Sequence, residues 1–382
     1  MSDLPPSAEC VIVGGGVVGC SLAYHLARAG IRPLLLERGD LGSGSTARNA
    51  GGVRQQFSTE INVRVGILSR ELLENFEEEV GATAELRSVG YLFVASGVDQ
   101  MEQLARNVAM QRRVGLHDVR LLSRDEVGGI VPELNIEDVV GGSFCPSDGL
   151  AGPNEVTSGY VAAARRNGAQ VMDGVTVEAI ERDGDAVAAV RAAGTRISTP
   201  LVVNCAGPYA AAVGALAAVD VPVQPFRRHL FLTETFALDP EPPMTVDVAT
   251  SFYFHREGDG ILLGMSDPAE PSSFDTNVDW GFLEHLVEHA THRLPALERT
   301  AIKTGWAGLY EVSPDNQAIV GESELGGFWL CCGFSGHGFM QAPAAGRLLA
   351  AQMTGATPEI DLAPFDPGRF ARGATVAESA VI

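Results

Sequence analysis

The chain has 382 residues, 46% of them hydrophobic and 20% charged, enough for one large or two medium cores of an ordinary globular protein. Its 27 basic and 48 acidic residues leave a net charge of −21, and Lys303 is the single lysine among those cations. The acids form no tail, the arginines form no patch able to neutralise phosphates, and no run of ~18 apolar residues occurs, so neither nucleic-acid binding nor a membrane-spanning helix is expected.

Glu9–Val13 reads as a buried strand, followed by a glycine-rich turn and a helix to about Ala29 that Gly30 ends. Ile31–Glu37 is a second strand, completing a β-α-β unit. Gly39–Val53 is rich in Gly, Ser, Thr and Asn and lacks an apolar period, so a loop is expected there. Helical spacing runs over Ile61–Val80 and Gln100–Val114, with a strand at Gly90–Ala95 between them. Asn154–Asn167 reads as a helix, and Gln170–Ile180, Ala186–Ala192 and Ile197–Cys205 as strands. Longer strands are expected over Pro222–Thr235 and Thr250–Met265, an amphipathic helix over Phe282–Leu294, a strand over Gly327–Cys332 and a helix over Pro343–Thr354. The two kinds of region interleave, which implies two domains built from discontinuous segments. The six cysteines show no C-x-x-C spacing and lie mostly in apolar stretches, as expected of reduced, buried thiols in the cytoplasm. Val11–Leu22 is broken by glycines and preceded by Glu9, so a signal peptide is not expected.

The strongest motif is Val11-Ile-Val-Gly14-Gly-Gly16-Val17-Val-Gly19. Gly14 permits a sharp turn, Gly16 a close approach of backbone to a pyrophosphate, and Gly19 packing of helix on strand, while the helix N-terminus offers N–H groups to phosphate. Glu37, at the end of the second strand, is placed to accept hydrogen bonds from ribose hydroxyls, with Arg38 beside it. A chain that binds a dinucleotide is therefore expected. The polar loop that follows, with Ser45, Thr46, Asn49, Gly51 and Gly52, suits a long cofactor that runs on past the phosphates. A second glycine-rich strand-to-helix turn, Gly333-Phe-Ser-Gly336-His337-Gly338-Phe339, is placed to stabilise negative charge at the far end of such a cofactor. His285-Leu-Val-Glu288-His289 matches a zinc pattern, but its charged residues fit a solvated helix face and no metal is expected. Arg227-Arg228 is read as strand-edge charge, and Cys331-Cys332 as packing residues that point to opposite faces of a strand.

In their order along the chain, these motifs together with Gly51-Gly-Val-Arg54-Gln-Gln-Phe57, Asp148-Gly-Leu-Ala151, Val203-Asn-Cys-Ala206-Gly207 and Gly305-Trp-Ala-Gly308-Leu-Tyr310 with Ser313-Pro-Asp315 resemble the D-amino-acid-oxidase and sarcosine-oxidase superfamily. They are most similar to the β subunits of heteromeric sarcosine oxidases and proline dehydrogenases. The resemblance implies an α/β, doubly wound (Rossmann-like) FAD-binding domain plus an α+β substrate domain with a large antiparallel sheet. It divides the chain into residues 1–85, 145–220 and 305–382 for FAD and residues 86–144 and 221–304 for substrate. It adds Val175, Ala206, Gly207 and Gly308 to the expected cofactor wall, and implies a small amine or amino-acid substrate, oxygen or another carrier as electron acceptor, and partner subunits as a possibility.

The departures are informative. Gly308, Arg48 and Pro153 stand where relatives carry the cysteine or histidines that link a flavin covalently, so non-covalent FAD is expected. Leu262 replaces a lysine that promotes reaction with oxygen in monomeric sarcosine oxidases, which moves the expectation toward a dehydrogenase. Met340 replaces a second cationic ligand of the substrate carboxylate. The resemblance gives Arg54 the role of a bidentate clamp on that carboxylate and Tyr310 a place over the flavin; Tyr253 or His255 is expected on the opposite wall and His337 beside the flavin ring. Two other readings remain open at this level: an FAD hydroxylase that consumes NAD(P)H, and a non-catalytic flavoprotein that assists assembly.

Overall fold

The computed structural model describes residues 4–381. Among them, Cys10–Val13, Pro33–Leu36, Gln170–Met172, Val202–Asn204, Ile319–Glu322 and Phe328–Cys332 form a six-stranded sheet. Its pairings are parallel except for the antiparallel Ile319–Glu322 edge. A parallel sheet covered on both faces needs apolar side chains on both, which is why these strands read as continuous hydrophobic runs. Cys10 and Ile12 pack on one face with the helices Val17–Arg28, Glu60–Glu74, Pro153–Arg166 and Gly338–Met353, while Val11 and Val13 face the three-stranded sheet of residues 177–198. Cys331 and Cys332 divide between those same two faces, and all six cysteines are buried and free.

The second sheet has eight strands in the order Ile302–Val312, Gln224–Thr233, Gly260–Met265, Tyr253–Glu257, Met244–Asp247, Tyr91–Ala95, Gly141–Cys145 and Arg120–Ser123. Side chains alternate along each strand. Phe231, Phe254 and Leu263 pack under the helix Trp280–Arg293, whereas Leu230, Tyr253 and Leu262 face the other way. Ile302–Val312 belongs wholly to this sheet, so the crossing between the two sheets falls after residue 312 rather than at 305.

Several expected strands are divided. Gln170–Ile180 splits at Gly174 into two strands of different sheets, Ile197–Cys205 breaks at Pro200, which has no N–H for a ladder, and Thr250–Met265 is a hairpin turning at Gly258. The last long helix begins at Gly338, not Pro343, which lies inside it. The strand that carries Arg227 and Arg228 is not an edge strand: it pairs with Ile302–Val312 along its length and with Gly260–Met265 from His229 on, while residues 272–273 lie against its start. Among the described residues no helix is long and apolar enough to cross a membrane, and no cluster of three or more metal-ligating side chains forms.

Candidate active site

A cavity of about 690 Å³ runs between the C-terminal ends of the parallel strands and the open face of the eight-stranded sheet. Ligands of α/β sheets bind outside the carboxyl ends of the strands, where the strand order reverses, and Cys10–Val13 lies at that point, between Pro33–Leu36 and Val202–Asn204.

One end is built by the fingerprint. Gly14 turns with φ +113°, and a Cβ there would stand 2.3 Å from the Cys205 carbonyl oxygen, so no larger residue fits. The helix Val17–Arg28 then starts with no side-chain cap and no acid in its first turn; the Val17 N–H donates to Thr46 Oγ1 at 3.1 Å. Glu37 faces the turn, accepting from the N–H groups of Gly15 at 2.7 Å and Gly39 at 2.8 Å. Val175, Ala206 and Gly207 complete this end of the wall.

The loop 42–52 forms the middle. Ser45 donates to the Leu309 carbonyl at 2.6 Å and Arg48 to the Ala307 carbonyl at 3.2 Å, tying the loop to the large sheet. Asn49, Gly52 and Gly308 also line the cavity here. Gly19, Gly51 and Gly333 do not: Gly19 packs against the Gly14 carbonyl, the Gly51 N–H donates to Asn49 Oδ1, and the Gly333 N–H donates to Glu311 Oε2. Their part is to shape the wall from behind.

At the other end the helix Gly338–Met353 opens onto the cavity, also uncapped and without an acid in its first turn, with Gly336, His337, Gly338, Phe339 and Met340 lining the space. Gly336 (φ +93°) lets the Tyr310 ring lie against the turn, since a Cβ would come within 2.4 Å of it. Two helix N-termini without acids in their first turns on one elongated cavity suit a flavin dinucleotide, which carries fixed negative charge on its pyrophosphate and gains negative charge on its flavin ring when reduced. The residues present therefore fit FAD.

Arg54 is buried beside this second end and lines the cavity. Nη1 donates to the Gln56 carbonyl and Nη2 to the Ala380 carbonyl; Nη2 also lies 3.1 Å from His337 Nε2, and Nε has no partner. Because a guanidinium only donates, His337 Nε2 must present its lone pair, which places the ring proton on Nδ1. Burial and the Arg54 charge push His337 down to about 3, so the ring is neutral. No carboxylate of the described residues makes an ion pair with Arg54; Glu378 and Asp148 act on it only through space. Tyr310 and Tyr253 line the same chamber, and burial raises both phenols. His255 is not on the wall: it is buried, its Nδ1 lies 2.8 Å from the Arg256 carbonyl oxygen, and burial pushes it down to about 4.

Sequence reasoning missed several wall residues. Arg228 lines the chamber with its guanidinium 5.1 Å from the Tyr310 ring centroid, its Nε unpartnered. Strand alternation with Leu230 would have found it, had the strand not been taken for an edge. Tyr91 faces the same space. The segment before residue 381 also reaches the site: Glu378 is fully buried and accepts from the N–H and hydroxyl groups of Ser58 and Thr59 and from Asn62, which delivers the Ala380 carbonyl to Arg54. No local pattern marks that contact.

Glu311 is the other omission. Burial pushes its carboxyl up to about 7, overcoming the N–H groups of Gly333 and Phe334 that favour its charged form. The folded state thus holds a proton that the unfolded chain releases between pH ~4.5 and ~7; this contribution to stability is full below pH ~4.5 and is lost as pH rises through ~7. Glu311→Gln is expected to flatten the fall in stability over that window by roughly 2–4 kcal/mol. Denaturant midpoints from pH 4.5 to 8 test this; an unchanged slope excludes Glu311 as the source.

The family model described as FAD dependent oxidoreductase (DAO) matches residues 9–352. The chain belongs to this family. It is 33% identical to mitochondrial sarcosine dehydrogenase of Mus musculus over 96% of its own length and 42% of that protein's. The chain thus spans less than half the length of the curated relatives that head the comparison. Among solved structures, L-proline dehydrogenase from P. horikoshii superposes with a TM-score of 0.92 at 31% identity, covering 98% of this chain and 100% of that one. Glycine oxidase from Geobacillus kaustophilus gives 0.84 at 25% identity, covering 96% and 99%. These likenesses cover nearly the whole chain and so take in both sheets.

Proposed function

We propose that this chain binds FAD without a covalent bond and oxidises a small amine or amino acid bearing a carboxylate, of the N-substituted glycine or proline type, to the imine. The observation that carries this reading is Arg54: a buried guanidinium that makes no ion pair among the described residues, on the wall of a cavity onto which two helix N-termini without acids in their first turns open. A buried cation without an ion-paired carboxylate in contact is costly, and a substrate carboxylate would compensate it. Its relatives act on sarcosine, proline and glycine by their names, substrates that share a carboxylate one carbon from nitrogen.

When bound, FAD supplies the two-electron acceptor, flavin N5. Arg54 holds the carboxylate, and Tyr310 and Tyr253 shape the chamber around the amine. The substrate must arrive as the neutral amine, since the nitrogen lone pair forms the new C=N bond as hydride leaves the α carbon. No general base is assigned: His337 offers Nε2 to Arg54 and stays neutral. The FAD portion comprises the six-stranded sheet with its covering layers, and the substrate portion residues 86–144 and 221–304 together with the strand Ile302–Val312.

Anaerobic bleaching of the yellow protein by a panel of sarcosine, dimethylglycine, both prolines, glycine and D-amino acids tests the reaction. Bleaching by one class names the substrate group, and readmitted air shows whether oxygen accepts the electrons. Bleaching by NAD(P)H alone would instead indicate a hydroxylase, and retained FAD that no amine reduces a non-catalytic role. Acid precipitation is expected to leave the flavin in solution; a yellow pellet contradicts the non-covalent assignment.

A further inference from the structure

The loop 266–279, between Gly260–Met265 and Trp280–Arg293, carries one large apolar side chain among polar residues. Phe274 is 50% exposed, yet its ring is stacked on Tyr209 at 4.5 Å between centroids and 15° between planes. Arg38 lies over Tyr209 as well, its Cζ 3.6 Å from the ring centroid. Neither group leaves room for the other on one face, so guanidinium, phenol and phenyl form a three-layer stack. All three residues line the cavity at the Glu37 end. Arg38 and Tyr209 follow strands of the six-stranded sheet, while Phe274 arrives from the other side of the cavity.

The loop is held in place from behind. Arg227 Nε donates to Glu270 Oε1 at 3.1 Å, and its Nη1 to Asp275 Oδ2 and the Asn277 carbonyl, both at 2.9 Å. The Ser273 N–H donates to the Pro225 carbonyl at 3.1 Å, so the loop is laid along the start of the Gln224–Thr233 strand on both sides of Phe274. Neighbouring residues on a strand face opposite ways, which explains the adjacent arginines: Arg228 faces the chamber and Arg227 anchors the loop.

We propose that this loop is a latch across the dinucleotide end of the cavity, with Phe274 on Tyr209 as its catch and Arg227 as its anchor, and that it retains an FAD that has no covalent tether. The proposal rests on the non-covalent FAD binding put forward above. A ring half exposed in the closed position can lift without breaking a core, which allows loading, while the stack and the anchored loop oppose release.

The test is the rate of FAD release from the holoenzyme on dilution, followed by the rise in fluorescence of free flavin, for the parent, Phe274→Ala and Phe274→Tyr. Phe274→Ala is expected to release FAD about ten-fold faster, or ~1.4 kcal/mol, the scale of an aromatic pair, with Phe274→Tyr near the parent. Backbone hydrogen exchange over residues 271–277 is expected to be slower with FAD bound than without it, and this protection to be lost in Phe274→Ala. Equal release rates for the parent and Phe274→Ala overturn the latch and leave the proposed oxidation standing. Protein that takes up no FAD overturns both.

Discussion

Arg54→Lys is expected to lower kcat/KM toward carboxylate-bearing amines by ~30- to 4,000-fold, the 2–5 kcal/mol typical of breaking a buried, hydrogen-bonded charge pair. Lysine keeps the charge but lacks the planar fork, and cannot reach the Gln56 and Ala380 carbonyls while also donating to a carboxylate. The loss should fall mainly on KM. An amine of similar size without a carboxylate should lose much less, and the ratio of the two effects is the diagnostic quantity. A variant that loses activity equally toward both substrates would make Arg54 a structural residue. The Ala380 carbonyl occupies Nη2, so Glu378→Ala, which frees that segment, is expected to alter KM for carboxylates more than flavin content.

The second large effect is on stability. Asp315 and Arg369 are both buried, at 4% and 1% exposure, and form a fork-to-fork pair with Nε to Oδ2 and Nη2 to Oδ1, each at 2.8 Å. Arg369 also donates to the Phe365 and Gln317 carbonyls. Asp315→Ala leaves this guanidinium buried without its counter-charge and is expected to cost ~3–5 kcal/mol. Denaturant titration at a fixed FAD concentration measures it, because bound cofactor adds its own stabilisation. A loss below ~1 kcal/mol would mean that water or another acid replaces the carboxylate. Arg369 stands just before the segment that reaches Arg54, so some loss of carboxylate affinity should accompany the loss of stability.

Asp315 shows how a motif can be legible without its purpose. The Ser313-Pro-Asp315 block marks the family, yet the sequence says nothing of Arg369, and only the fold shows that the aspartate is an anchor. Glu37 is the reverse case. Its place after a strand, at the expected distance from the glycines, determines where its carboxylate stands, because one β-α-β unit sets that geometry locally. Several of the errors were ones of pairing. Gln170–Ile180 and Ile197–Cys205 each contain a breaker, Gly174 and Pro200, but period and composition cannot say that the chain changes sheets there. Arg227-Arg228 were read as edge charge because alternation reveals two faces of a strand but not what each face or each side meets.

The sequence by itself determined the β-α-β fingerprint, the family and the glycine turns of both helix N-termini, since each is written in residues a few positions apart whose backbone geometry is locally dictated. Only the tertiary structure decided that Arg228 enters the chamber, that Glu378 brings a carbonyl onto Arg54, and that Phe274 closes on Tyr209. Those contacts join segments tens to hundreds of residues apart. They depend on which strands pair and which faces meet, and no local spacing encodes that.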